Sequence, residues 1–310
     1  MLSERCTPSE GLEANVTISR LQSGSGELHD PKFEGQGYYI VAGGASAYYT
    51  YISLSSEIRR MGFNARVHDI TQELGVISIQ GPKSRAILQN IVECELSDEN
   101  LPPNGTLLTK CAATGVRLLR VSFVGELGYE LHVPKQNCSK VYNALMAAGA
   151  KNNFRNAGYR ALYSLSSEKG YHLWSFDLHP DDTPMEAGLG FTCCKDGDYK
   201  GKQAILKQKA EGIKKKLVYL TLDEQLPIWG LEGVYRNGEP VGFLRRAEYA
   251  YALGKPLGQA YIQSNGQLID ADFVKKGNYE VSILGKLYKA NCHLRSPFDP
   301  KGQRVLGNYE

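Results

Sequence analysis

Two glutamates lie four residues apart in the stretch SFVGELGYELHVP, residues 122–134. Gly125 and Gly128 separate its strand-like runs, so Glu126 stands beside a glycine bend and Glu130 continues a strand. Such a glutamate can be a solvated strand carboxylate. It can also accept two parallel hydrogen bonds from a planar N–C–N donor such as a pterin or a guanidine, a strong and orientation-specific pairing. The residue pattern leaves both interpretations open.

The strand after this bend predicts which side chains share a face, because successive strand residues point to opposite sides. If Tyr129, Leu131 and Val133 face the core, Glu130 and His132 lie together on the other face. The candidate ligand carboxylate is therefore predicted beside a histidine.

A second group of carboxylates lies in the segment HLWSFDLHPDDTPMEAGLGF, residues 172–191. Its members are Asp177, Asp181, Asp182 and Glu186. The segment is rich in Asp, Pro and Gly and has no periodicity, yet it carries large apolar residues. Long irregular segments of this kind are usually functional or packed over a core.

Composition and spacing exclude several other kinds of chemistry. The six histidines show no HxH or HxxxH spacing, so no metal site is expected. No GxSxG elbow is present, and no GxGxxG follows a strand, so no Rossmann unit for a flavin or nicotinamide is expected. A net charge of +3 over 310 residues and the lack of a long apolar run argue against nucleic-acid and membrane partners. Seven scattered cysteines are typical of a reducing compartment.

The element pattern predicts an α+β lobe, with an antiparallel sheet and helices on one of its faces. Helices are predicted over residues 45–61, over 82–92, after Pro134 and over 156–170; strands are predicted over 74–80, 106–111 and 116–124, with a turn at Thr114-Gly115. In the first of these helices Tyr48, Ile52, Leu54, Ile58 and Met61 approximate the spacing of an apolar stripe. In the last, Tyr159, Leu162 and Leu165 form the predicted apolar side.

The C-terminal third predicts a small β-barrel or sandwich. Six short strands are expected, over 216–222, 232–236, 240–246, 257–262, 278–283 and 286–292. Asn237-Gly238 is a strong signal for a two-residue hairpin. We therefore predict two domains, residues 1–210 and 211–310.

Five motifs carry a resemblance to a known family: ELGVISIQGPKSRAIL, SFVGELGYELHVP, GYRALYSLSSEKGYHLW, PDDTPMEAGLGFTC and GKQAIL. They resemble the aminomethyltransferases, which comprise glycine-cleavage T-proteins and the tetrahydrofolate-binding parts of dimethylglycine and sarcosine dehydrogenases. The segments GLEGVYRNGEPVGFLRRAEYAYALGKPLGQAYI and HLRSPFDPKGQRV are most similar to sarcosine dehydrogenases. The resemblance implies a cloverleaf fold with a ferredoxin-like α/β lobe and a C-terminal antiparallel β-barrel around a folate channel.

The resemblance also implies roles for particular residues. Glu130 corresponds to the glutamate that grips the pterin ring of tetrahydrofolate, and Glu126 shapes the bend before it. Phe123 stands where T-proteins tend to have a tyrosine, so the ring contact is kept without the hydroxyl. Arg160 matches an arginine near the folate that would neutralise its glutamate tail.

Asn15 is the main departure from the family pattern. The family strand usually carries an aspartate two positions before the threonine that is Thr17 here, and this aspartate assists attack on the one-carbon unit. Asparagine keeps its shape but cannot be anionic or take a proton. If Asn15 occupies that position, transfer should be weakened severely while folate binding could persist.

The function implied by the resemblance is folate-dependent transfer of a one-carbon unit from an N-methylated glycine to tetrahydrofolate. FAD would belong only to an N-terminal domain that this chain is expected to lack, together with part of the folate lobe. The chain is then not expected to oxidise sarcosine alone, and a separate flavoprotein could be its partner. The relatives imply a mitochondrial matrix location.

Two alternatives remain at this stage. One is a non-catalytic binding scaffold related to the pyruvate dehydrogenase phosphatase regulatory subunit, which Asn15 favours and the C-terminal similarity disfavours. The other is an inactive fragment.

Overall fold

A computed structural model describes residues 11–21 and 35–309, and the backbone alone of residues 2–6. The described chain divides into two compact units. The first unit comprises Val16–Ala157 and the residues from Gly302 onward, and the second comprises Leu2–Asn15 and Gly158–Lys301. The domain boundary near residue 210 stays a prediction. Among the described helices, none combines the length and apolar character needed to cross a membrane.

The elements are numbered in chain order. The strands are β1 (Leu2–Cys6), β2 (Leu12–Arg20), β3 (Tyr38–Ala42), β4 (Leu74–Gln80), β5 (Thr106–Cys111), β6 (Thr114–Leu119), β7 (Gly128–Pro134), β8 (Lys215–Leu222), β9 (Gly233–Arg236), β10 (Glu239–Ala250), β11 (Lys255–Gln263), β12 (Tyr279–Ile283) and β13 (Lys286–His293). The helices are α1 (Ala47–Met61), α2 (Ser84–Gln89), α3 (Cys138–Gly149), α4 (Tyr159–Lys169), α5 (Lys202–Glu211), α6 (Ala271–Lys275) and α7 (Gln303–Leu306). Short 3-10 turns occupy Gly44–Ser46, Lys135–Asn137, Ala150–Asn152 and Gly190–Thr192.

The first unit contains a four-stranded antiparallel sheet in the order β4-β7-β6-β5. Helices α2 and α3 pack on one face of this sheet, and the apolar side chains of that face form the core of the unit. Ile87 and Leu88 of α2 are buried in it. Strand β3 pairs with β2 from Val16↔Ala42 to Arg20↔Tyr38. The α+β class is confirmed.

One local prediction in the first unit is wrong. The turn between β5 and β6 lies at Ala112-Ala113, with φ of 49° and 56°, and not at Thr114-Gly115.

The predicted helix over residues 45–61 is present as α1, but its apolar stripe is only partly covered. Tyr48, Ile52 and Met61 are exposed, and Leu54 and Ile58 are half-buried. Periodicity identifies an apolar face, but it does not show that another element covers that face.

The second unit is built on a closed antiparallel barrel in the order β10-β11-β8-β13-β12-β9. All six predicted strands are present, within a few residues at each end. The hairpin between β9 and β10 turns at Asn237 and Gly238, with φ of 53° and 84°. Both central residues of a type I′ turn need positive φ, and Asn-Gly is the dipeptide that adopts it most readily. The predicted barrel is therefore confirmed.

Helix α4 packs on strands β10 and β11 of the barrel through a polar face. The predicted apolar side is wrong, since Tyr159 is exposed and Leu162 and Leu165 are only half-buried. Its buried residues are Ser164, Ser166, Ser167, Glu168 and Lys169. Small serine side chains let the helix backbone approach the barrel closely, and each hydroxyl is satisfied by a hydrogen bond when buried.

Candidate functional site

Glu130 lies in the middle of β7, on the sheet face opposite the helices. In the antiparallel register it stands between Ser78 of β4 and Leu119 of β6. Its side chain is 25% exposed to solvent, whereas Tyr129 and Leu131 are fully buried in the core. The predicted alternation along this strand is confirmed, and it leaves the Glu130 carboxylate accessible on an otherwise buried strand.

His132 lies beside Glu130 on the same face and is almost completely buried. Its Nε2 is 3.4 Å from Oε2 of Glu130, and its Nδ1 is 2.7 Å from the hydroxyl of Tyr39 on β3. The rings of Tyr39 and His132 meet edge to face, with centroids 5.4 Å apart. Among the described residues, no other side chain or backbone group hydrogen-bonds the Glu130 carboxylate. The carboxylate can therefore accept further hydrogen bonds from a ligand.

Arg117 adds a positive charge to this face. It stands opposite His132 in the β6–β7 register, and its guanidinium carbon lies 5.2 Å from the centroid of the Tyr39 ring. Its Nη1 donates to Thr106 Oγ1 at 3.2 Å. A cation over an aromatic face is attracted by the ring quadrupole. Arg117 therefore helps to hold the Tyr39 ring in place above the strand.

Gly128 makes room for a polar side chain at the start of β7. A Cβ at this position would overlap the side-chain amide of Gln80. That amide donates to Ser78 Oγ at 2.9 Å and to the Val121 carbonyl at 3.3 Å. Gly128, the second glycine of the motif GELGYE at residues 125–130, thus leaves room for the Gln80 side chain. Gln80 in turn contacts Ser78, the residue that pairs with Glu130.

Phe123 and Glu126 lie in the loop between β6 and β7. Phe123 is half-buried. Glu126 is buried, and its Oε1 accepts from Nη1 of Arg304 at 3.0 Å. The adjacent Leu127 amide donates to the hydroxyl of Tyr309 at 3.0 Å. Gly125 has φ of 75°, which glycine adopts without strain. The bend and this ion pair hold the loop, in keeping with a structural part for Glu126.

Arg160 and Asn15 belong to the second unit. Arg160 begins α4 and is 76% exposed, with its Nη1 3.5 Å from Oε1 of Glu248. Asn15 lies within β2 and is half-buried. Its side chain forms no hydrogen bond in the part of the chain that the structure describes. The ligand roles of Glu130, Phe123, Arg160 and Glu126, and the catalytic position of Asn15, stay predictions.

The acidic residues of segment 172–191 contact cations of the barrel. Fully buried Asp182 lies 3.1 Å from Lys215 Nζ and 3.1 Å from Arg245 Nη2. Fully buried Asp177 lies 3.0 Å from Arg246 Nη2, and burial raises the pKa of its carboxyl although Arg246 opposes the rise. Glu186 is 3.2 Å from Lys215 Nζ. These carboxylates are therefore structural partners of barrel cations, while Asp181 contributes its carbonyl to Lys215.

Sequence reasoning missed Tyr39 and Arg117 as members of the Glu130 face. Tyr39 precedes His132 by 93 residues, so no local pattern links them. The signal available for Arg117 was alternation in β6, where it lies between the buried apolar residues Val116 and Leu118.

Comparison with protein families gives matches in both units. The GCVT N-terminal domain matches residues 31–197, and the glycine cleavage T-protein C-terminal barrel domain matches residues 215–299. The chain belongs to the glycine cleavage T-protein family. The barrel of the second unit is the one that this family profile describes.

Relatives of this T-protein chain include three kinds of enzyme. Human mitochondrial sarcosine dehydrogenase is 45% identical over 96% of the chain, and human mitochondrial dimethylglycine dehydrogenase is 31% identical over 93%. The chain spans about a third of the length of each, 33% and 32%. An aminomethyltransferase of Alkaliphilus metalliredigens is 30% identical over 86% of the chain and 69% of its own length.

A solved structure shows the same fold. The crystal structure of the glycine cleavage system aminomethyltransferase T from Bartonella henselae superposes with a TM-score of 0.76. It covers 94% of this chain and 74% of its own, at 19% sequence identity. The predicted aminomethyltransferase fold is thereby confirmed.

Proposed function

We propose that this chain binds a reduced folate through Glu130 and takes part in one-carbon transfer from an N-methylated glycine. The observation that carries the proposal is the accessible Glu130 carboxylate on a buried strand, within the GELGYE motif of a T-protein fold. A carboxylate with unused lone pairs can accept two parallel hydrogen bonds from the N–C–N edge of a pterin. Bidentate pairing of this kind fixes the orientation of the ring as well as holding it.

The residues fit such a ligand in their chemistry. Half-buried Phe123 can supply an aromatic contact, and the exposed guanidinium of Arg160 can neutralise a carboxylate of the folate tail. Bound tetrahydrofolate would supply the nitrogen atoms that take up the one-carbon unit. What the chain itself supplies is binding and orientation of the acceptor.

The setting of this activity follows from the relatives. Sarcosine and dimethylglycine dehydrogenases suggest an N-methylated glycine as the source of the carbon, with sarcosine favoured by the higher identity. The sarcosine and dimethylglycine dehydrogenase relatives are mitochondrial by name, which supports a matrix location. Oxidation of the N-methyl group needs a flavin, and we assign that step to a flavoprotein domain or partner outside residues 1–310.

The test is calorimetric titration of the full chain with 5-formyltetrahydrofolate. Glu130→Ala should weaken binding by about 10- to 100-fold, because donors of the ligand that pair with a charged group would be left unsatisfied. Glu93→Ala is the matched control, since Glu93 is an exposed glutamate of the same unit. Equal affinity of the wild type and Glu130→Ala would refute the assignment of Glu130. A well-folded wild-type chain that binds no folate would refute folate binding altogether.

A further inference from the structure

His132 is the buried group closest to the proposed ligand carboxylate, and its ring has a polar partner on each nitrogen. The side chain is 2% exposed, whereas Glu130 is 25% exposed. Strand alternation places both on one face of β7, two residues apart. Burial makes an unsatisfied ring nitrogen costly, and here the two partners that satisfy His132 are the proposed ligand carboxylate and the Tyr39 hydroxyl.

For a neutral imidazole, the two partners of His132 assign the proton to one nitrogen. An ionised carboxylate can only accept, so the contact between Nε2 and Glu130 requires a hydrogen on Nε2. In the neutral imidazole Nδ1 is then an acceptor, and the hydroxyl of Tyr39 donates to it at 2.7 Å. The resulting relay runs in one direction, from Tyr39 to His132 to Glu130.

The hydrogen bond from His132 restrains the Glu130 carboxylate but leaves most of its acceptor sites available. Each carboxylate oxygen has two lone pairs, and His132 uses one of the pairs on Oε2. One lone pair of Oε2 and both of Oε1 remain for a ligand. The contact from His132 is long at 3.4 Å, and such contacts commonly tighten when a ligand completes the site.

We propose that His132, oriented by Tyr39, is a positioning residue that presents the Glu130 carboxylate to the N–C–N edge of its ligand. This inference rests on the proposed folate binding. The ring of Tyr39 is itself packed between His132 and the Arg117 guanidinium, so its hydroxyl is aimed by the fold. Restricting the rotamers of the Glu130 side chain before the ligand binds raises affinity, because less conformational entropy is lost on association.

The test is a double-mutant cycle between Tyr39→Phe and Glu130→Ala, with 5-formyltetrahydrofolate as the titrant. Tyr39→Phe keeps the ring and removes the donor, and it should weaken binding by about 3- to 10-fold in the wild-type background. In the Glu130→Ala background the same change should have almost no effect, because the group that His132 orients is gone. Tyr38→Phe is the control, since Tyr38 is 65% exposed on the same strand.

His132 variants give a second readout. His132→Leu removes both contacts and should weaken binding by about tenfold or more, whereas His132→Gln keeps a donor and should recover part of the loss. Thermal unfolding identifies any variant that fails to fold. If the His132 variants do not fold, the double-mutant cycle with Tyr39→Phe still tests the proposal. In the wild type, nitrogen chemical shifts of the His132 ring should show the Nε2–H tautomer.

The outcomes separate the two proposals. Equal losses from Tyr39→Phe in both backgrounds would overturn the positioning part while leaving folate binding through Glu130 intact. An Nδ1–H tautomer in the wild type would overturn the relay in the same way. If the wild type binds no folate, the proposed function fails and the positioning of a folate ligand fails with it.

Discussion

The two glutamates of the GELGYE motif differ in what surrounds each carboxylate. Glu126 is buried and ion-paired with Arg304 at 3.0 Å, so its charge is used within the protein. The Glu130 carboxylate is hydrogen-bonded only by His132 among described groups, and its side chain stays partly exposed. A buried carboxylate whose partner is removed costs free energy, whereas an accessible one can bind a ligand. Of the two glutamates, Glu130 is therefore the better candidate for binding a ligand.

Asn15 stands at the predicted position of the family aspartate, so we expect the rate of the transfer step to depend on it. Asn15→Asp should leave folate affinity nearly unchanged and raise the rate of transfer by about 10²- to 10⁴-fold, the range expected of a general base. The measurement is formation of 5,10-methylenetetrahydrofolate from a sarcosine-derived iminium, generated by an added sarcosine-oxidising flavoprotein, after subtraction of the uncatalysed rate. Asn15→Ala is the control and should give no gain. If Asn15→Asp binds folate and transfers no faster, Asn15 does not limit the reaction.

Helix α4 shows how an element can be buried through polar groups. Ser164 Oγ donates to the Tyr249 carbonyl at 2.6 Å, and Gln259 Nε2 donates to Ser167 Oγ at 3.3 Å. One oxygen of Glu168 accepts from the backbone amides of Ala252 and Leu253, which form the turn after β10. The motif GYRALYSLSSEKGY therefore joins the helix to the barrel through hydrogen bonds and small side chains.

A leucine in this interface should destabilise the second unit. Ser167→Leu adds volume at a fully buried position and removes a partner of Gln259, so we expect a loss of about 2–4 kcal/mol in the free energy of unfolding. Ala161→Leu is the control, since Ala161 is exposed on the same helix, and its effect should be within about 0.5 kcal/mol. Urea unfolding measures both. Equal stability of the two variants would mean that the Ser167 side of α4 is not packed.

At the scale of the whole molecule, stability depends on buried ionisable groups of the second unit. Asp177 and Asp182 are fully buried and each is paired with a barrel arginine. His172 lies near Arg246, and burial is the main cause that lowers the pKa of this histidine from 6.5 to about 4. A histidine whose pKa is lowered on folding is kept neutral by the folded state, so protonation favours unfolding.

The stability of the protein should therefore fall in mildly acidic solution. The contribution of His172 is fully present above about pH 6.5 and is lost as the pH falls towards 4, with a total of about 3 kcal/mol at about 1.4 kcal/mol per pKa unit. Urea unfolding at pH 7 and pH 4.5 measures the loss in the wild type. His172→Gln cannot take up this proton and should show a smaller loss over the same range. An equal loss in the free energy of unfolding for the wild type and His172→Gln would contradict the assignment to His172.

Local patterns were sufficient for much of this architecture. Alternation along β7 predicted that Glu130 and His132 share a face, and Asn237-Gly238 predicted the barrel hairpin, because side-chain direction and turn type are local properties of the chain. The aminomethyltransferase fold was predicted in a different way, by resemblance to family motifs such as ELGVISIQGPKSRAIL, which spans β4 and most of α2.

The tertiary structure alone decided which faces are covered and which distant groups meet. Periodicity predicted apolar faces for α1 and α4, yet the α1 stripe is only partly covered and α4 is buried largely through serines. The sequence likewise determined that carboxylates stand at 126, 130, 177 and 182, while packing decided that three are ion-paired and that Glu130 remains accessible. Pairing of this kind joins residues far apart in the chain, such as Tyr39 and His132, and so depends on three-dimensional packing that no local pattern records.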